Sequence, residues 1–174
     1  MNWRMAVGCL LLLCASMSRA EQYFTHSFVT GTGMSFTDEN KTASMNSDSI
    51  VYHCSTKAEF GAIDPGHGDT RITAKLLNTN DSLTTHPAIH KLSSVQVNYH
   101  PTATRDNLKV YVSTNASDWT EATYMTYTST YVKAVFPSGD YFIKIVNTNG
   151  SKDVYVWSIE YGIRDCNCQL YVAP

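Results

Sequence analysis

The chain is poor in charge. Only 16% of its 174 residues are Asp, Glu, Lys or Arg, 13 basic against 15 acidic, for a formal net charge of -2. So weak and negative a balance cannot coat a phosphate backbone, and no nucleic-acid partner is expected. Glycine (9) and proline (5) are too scarce for a collagen or a Gly/Pro-rich disordered chain, and charge is too sparse for a coiled coil or an acidic tail. Motifs that announce chemistry are missing too: there is no Gly-x-Ser-x-Gly elbow, no phosphate-cradling glycine loop and no His-Glu-x-x-His pair. The longest apolar run, residues 6–15, is about half of what a permanent membrane helix needs, so no membrane span is expected.

That run sits in a leader. Arg4 supplies a positive start, residues 6–15 the apolar stretch, and Ser18-Arg19-Ala20 a small-x-small cleavage site before Glu21. The reading is a signal peptide over residues 1–20 and a single domain over 21–174, secreted into an extracellular, periplasmic or cell-surface setting. Removing Arg4 and Arg19 leaves 11 basic against 15 acidic residues, a net charge near −4. Cys9 and Cys14 lie in the leader; Leu10–Leu13 fit a lipoprotein peptidase poorly on either side, so both are expected to leave with it. Three cysteines remain: Cys54, Cys166 and Cys168. In an oxidising compartment a disulfide of Cys54 with Cys166 or Cys168 is expected. Self-pairing of Cys166 with Cys168 in a strained ring is the alternative.

The remainder is dominated by period-2 alternation. Val95, Val97 and Tyr99 alternate with Gln96, Asn98 and His100; Leu108, Val110 and Val112 with Lys109, Tyr111 and Ser113; Ile72, Ala74 and Leu76 with Thr73 and Lys75. Each pattern puts one set of side chains into a core and the other toward water. Further strands are expected at 23–30, 49–54, 123–128 and 131–136, with weaker candidates at 34–37 and 57–63. Segments 141–147 and 154–161 flank an Asn149-Gly150 turn signal and read as a hairpin. In its second strand Tyr155, Trp157, Ile159 and Tyr161 would share a face, with Trp157 in the core. No three-turn helical stripe exists; a short helical turn within 82–90 is the one exception, and Pro87 limits it. The fold class is all-β, a jelly-roll-like antiparallel β-sandwich of two sheets with about 8–10 strands. Loops at 64–70, 78–90, 101–107 and 114–118 are where binding residues belong.

The stretch Leu108-Lys-Val-Tyr-Val-Ser-Thr-Asn-Ala-Ser-Asp-Trp119-Thr resembles secreted β-jelly-roll modules, in which a strand ending Tyr-x-Ser turns into a Trp-Thr pair. Tyr141-Phe-Ile-Lys-Ile-Val-Asn-Thr-Asn-Gly-Ser-Lys-Asp-Val-Tyr-Val-Trp157 is similar to their closing strands. Galactose-binding-like and carbohydrate-binding modules attached to bacterial polysaccharide-degrading enzymes, pectate lyases among them, read this way over about residues 89–161. The resemblance implies a non-catalytic binding module for carbohydrate. Such modules often carry a structural Ca2+, which stays open here without assigned ligands; no cofactor is required.

Tyr and Trp rings offer sugars a stacking surface with a polar edge. Trp119, Tyr124 and Tyr127 are the expected platform, with Asn115, Asp118 and Arg105 bonding hydroxyls; the plainer reading has Trp119 plugging one end of the sandwich. Asp64, His67 and Asp69 on a glycine-rich turn could hold a cation, though a plain turn suits the spacing better. His86 and His90 have i, i+4 spacing that Pro87 spoils for zinc. Four sequons begin at Asn40, Asn80, Asn115 and Asn149. Two other functions compete: a structural or adhesion subunit that binds another secreted or surface protein, and a small polysaccharide hydrolase or lyase using Asp118 or Glu121.

Overall fold

A computed structural model describes residues 21–29, 33–37, 41–45, 47–55, 57–63, 72–100, 107–149 and 153–164. The leader, the turn holding Asp64, His67 and Asp69, Arg105, and the pair Cys166 and Cys168 lie outside the described residues.

The regular structure is all strand: β1 (Gln22–Ser27), β2 (Met34–Thr37), β3 (Thr42–Met45), β4 (Val51–Cys54), β5 (Glu59–Ile63), β6 (Ile72–Leu76), β7 (Ser82–His86), β8 (Ile89–Tyr99), β9 (Leu108–Ser113), β10 (Thr120–Glu121), β11 (Tyr124–Tyr127), β12 (Tyr131–Asn147) and β13 (Val154–Ile163). Every pairing is antiparallel. In the first sheet β11, the first half of β12, β8 and β13 lie side by side; β1 and β6 share the far edge of β13, and β5 extends β6. The second sheet runs β2, β3, β4, β7, the second half of β12, β9, β10. Thirteen strands among the described residues exceed the count read from alternation, because β3 and β10 are short and a buried Thr85 hides the alternation of β7.

β12 serves both sheets because it bends. Its register with β8 shifts on either side of Gly139, two residues after Pro137, which has no N–H to give a ladder. A Cβ at Gly139 would stand 2.9 Å from the Tyr141 ring, so any side chain there would have to push that ring aside. Between the sheets lie Val95 and Val97 of β8, Ile159 and Tyr161 of β13, and Val132 and Ala134 of β12. Tyr52, Leu83, Val110, Ile143 and Ile145 face them from the second sheet, all essentially inaccessible.

Three expectations are corrected. Segments 141–147 and 154–161 form no hairpin: β12 and β13 flank β8 on opposite sides, and after Tyr141 β12 has passed into the second sheet. At the end of β12, Thr148 N donates to Asn107 O at 2.7 Å. Tyr155, Trp157, Ile159 and Tyr161 do not share one face. Val156 opposes Tyr99 and Ser158 opposes Asn98, so Trp157 is an extra residue in a β-bulge. The bulge flips the phase: Val154 and Val156 point inward before it, Ile159 and Tyr161 after it. Trp157 is left half-buried, its ring stacked on His100, instead of in the core. Finally, residues 82–90 hold no helical turn and no long loop. They are β7, a cis His86–Pro87 peptide and the start of β8. Thr85 is buried there because its Oγ1 accepts Ile143 N–H at 2.9 Å, and this polar core position hides the alternation. Thr73 is likewise buried, its hydroxyl donating to Ala62 O.

Candidate functional site

The residues expected to form one platform are dispersed. Asn115 and Asp118 build their own turn: Asn115 Oδ1 accepts the N–H groups of Ser117 (3.0 Å) and Asp118 (2.9 Å), and Asn115 Nδ2 donates to Asp118 Oδ2 at 2.7 Å. Ala116 between them sits at φ 61, in the left-handed region. Tyr127 packs against the core with its hydroxyl on Met125 Sδ. Tyr124 is 73% exposed, but on β11 at the edge of the first sheet. Trp119 precedes β10 and belongs to the second sheet. Glu121, the other carboxylate a hydrolase would use, is held by Lys109 Nζ at 2.9 Å. Among the described residues no three His, Cys, Asp or Glu side chains converge as metal ligands, and no helix is long and apolar enough to cross a membrane.

What surrounds Trp119 is a depression of about 250 Å³ on the outward face of the second sheet, lined by Asn80, Tyr111, Trp119, Lys144 and Val146. The strands explain the set. On β12, Ile143 and Ile145 fill the core, which turns Lys144 and Val146 outward; on β9, Val110 points in and Tyr111 out. The ladder then pairs Tyr111 with Lys144 on one side and with Glu121 on the other. Lys144 Nζ stands 5.6 Å from the centroid of the Trp119 ring, a cation–π distance. Asn80, at φ 72 in the turn before β7, is anchored by its N–H on Asn147 O and forms the rim. Among the described residues, the Trp119 indole N–H, the Tyr111 hydroxyl, the Asn80 amide and the Lys144 ammonium bond to no other protein group. Tyr111 and Lys144 were visible in the sequence only as residues out of phase with their apolar neighbours. That they are cross-strand partners was not.

A larger cavity, about 430 Å³, opens elsewhere between Phe24, Asp48, Ser49, Ile50, Pro87, Ala88, Ile89, His90 and Ile163. Its charged groups are already used. Asp48 Oδ1 accepts Ile50 N–H at 2.8 Å, Asp48 Oδ2 takes His26 Nε2 at 2.5 Å, and His90 pairs with Asp140 at 3.0 Å. Behind Asp48 a relay crosses from one sheet to the other: His26 Nδ1 meets Tyr52 OH at 2.6 Å, and Tyr52 OH meets Tyr161 OH at 2.8 Å. Asp–His–hydroxyl chains are the logic of nucleophilic catalysis. Here, however, Tyr52 and Tyr161 are 0% exposed, and burial pushes both phenols above their ordinary range. No substrate reaches them, so the relay is a structural tie. Cys54, at the end of β4, carries a half-buried thiol whose burial pushes it up to about 12; its expected partners lie outside the described residues.

Fold and surface together define a two-sheet antiparallel sandwich with an aromatic–lysine depression on one flank. No protein-family model matches the chain, and no curated protein matches it. Among solved structures, the K2 cleaved adhesin domain of Lys-gingipain is similar at 16% identity and a TM-score of 0.45, over 80% of this chain and 99% of that one. That is a loose likeness of chain trace.

Proposed function

We propose that the protein is a secreted or surface-displayed, non-catalytic module that binds carbohydrate in the depression beside Trp119. One observation carries the reading: two aromatic side chains, an amide and an ammonium line a single concavity on a rigid sheet, and their polar atoms are committed to nothing else in the described protein. Sugars present flat C–H faces for rings and a rim of hydroxyls for such donors and acceptors. The leader expected over residues 1–20 fits an exported protein. On this reading Trp119 is joined by Tyr111, Lys144 and Asn80, which line the same depression.

The test is retention on insoluble polysaccharides and a glycan array. Trp119→Ala is expected to lose about tenfold or more in affinity while keeping its circular dichroism spectrum. Equal retention of both proteins removes the site. A second reading, an adhesion subunit that pairs with its own kind or another surface protein, is favoured by Tyr124 and Val135. They oppose each other across β11, the edge strand of the first sheet, and β12 next to it, and are 73% and 43% exposed. Exposed apolar edges promote strand addition. Concentration-dependent self-association abolished by Tyr124→Lys, with no glycan bound, would replace the first reading by this one.

A further inference from the structure

Lys144 differs from two other lysines of the sheets. Lys109 is neutralised by Glu121 at 2.9 Å and Lys75 by Asp153 at 3.3 Å, whereas Lys144 has no carboxylate within ion-pair distance among the described residues. Its ladder neighbour Tyr111 separates it from Glu121, whose charge Lys109 already answers. Its contact is the Trp119 ring. The polar groups of the depression are donor-rich: an ammonium with three N–H bonds, an indole N–H, a phenol and an amide, with no carboxylate in the lining. A neutral ring stacked on Trp119 would take water from the ammonium and return no charge, which is costly. A ring with an anionic substituent would return one.

Resting on the carbohydrate reading, we infer that the ligand is an acidic saccharide, its ring against Trp119 and a carboxylate or sulfate oxygen on the Lys144 ammonium. The chain as a whole is negatively charged, so this preference comes from the local site and not from a general attraction for polyanions.

Calorimetry with matched probes tests it. One pair is an oligogalacturonate and its methyl ester; the other is a sulfated dextran oligomer and the unsulfated dextran oligomer. The charged member of at least one pair is expected to bind about tenfold or more tightly than its neutral twin, as a charge-assisted hydrogen bond provides; which pair does so tells carboxylate from sulfate. Lys144→Gln should erase that difference, Lys144→Arg should keep it, and added salt should shrink it. Lys133→Gln, on the first sheet, should leave it unchanged. The inference is overturned if Lys144→Gln binds charged probes like the wild type, or if Lys133→Gln weakens them as much. Should both members of each pair bind equally, with Trp119→Ala abolishing binding, carbohydrate recognition stands and the acidic preference falls. Should no saccharide on the array, neutral or acidic, bind at all, both fall.

Discussion

The relay through His26 makes a quantitative prediction about the core. With a neutral imidazole, the hydrogen bonds can be satisfied in one direction only: Tyr161 O–H to Tyr52, Tyr52 O–H to His26 Nδ1, and His26 Nε2–H to Asp48. Tyr52→Phe cuts the chain in the middle. It strands the Nδ1 lone pair and the Tyr161 O–H, both buried, at about 1–3 kcal/mol each, or about 4 kcal/mol together. Tyr161→Phe removes only the last donor and should cost about 1 kcal/mol. The double variant strands Nδ1 alone, at about 2 kcal/mol. Adding Tyr161→Phe to Tyr52→Phe should therefore restore about 2 kcal/mol, and the coupling energy should be about 3 kcal/mol in magnitude. Urea unfolding followed by circular dichroism reads all four proteins. With a slope of about 2 kcal/mol/M, the Tyr52→Phe midpoint falls by about 2 M and partly recovers in the double variant. Additive losses, or a Tyr161→Phe loss exceeding that of Tyr52→Phe, would refute the assigned direction of the chain.

Two further outcomes follow from other local chemistry. Burial holds the His26 imidazole below its ordinary value of 6.5, against the opposing pull of Asp48. A depressed histidine contributes stability that is complete above the unfolded value, about 6.5, and is lost as pH falls through the folded one. Unfolding free energies from pH 7.5 down to 5 should fall in the wild type and fall less in His26→Gln; parallel curves would contradict this. Gly162→Ala should destabilise by about 1–3 kcal/mol, since its Cβ would overlap Ser94 Oγ and stand 2.5 Å from Glu21 Oε1. Removing Ser94 Oγ by adding Ser94→Ala should recover part of the loss, and thermal melts of the single and double variants decide it.

Why the fold was legible and the site only partly so comes down to which physical information is local. Alternation along β8 and β9 reports the solvent boundary residue by residue, and Val95, Val97, Leu108 and Val110 lie where it puts them. A bulge breaks that rule without leaving a mark: nothing in Tyr155-Val156-Trp157-Ser158 states that the phase flips, because the extra residue exists only relative to Asn98 and Tyr99 on another strand. The same holds for strand order. Asn149-Gly150 reads as a hairpin turn, yet whether 141–147 meets 154–161 depends on whether β8 is inserted between them, which is a long-range fact. The depression belongs to this second kind. Trp119 could be nominated as an aromatic at a loop-to-strand junction, but its companions come from the turn before β7, from β9 and from β12. Only the register that sets Tyr111 opposite Lys144 makes them neighbours. Asn115 and Asp118 are engaged for a local reason. They are close to Trp119 in sequence and polar, but a short turn must satisfy its own N–H groups, and the nearest Asn and Asp side chains do that first. A polar residue is available to a ligand only after the backbone around it has been served, and the proposed site rests on Lys144, Tyr111 and Asn80, whose polar side-chain atoms bond to no other protein group among the described residues.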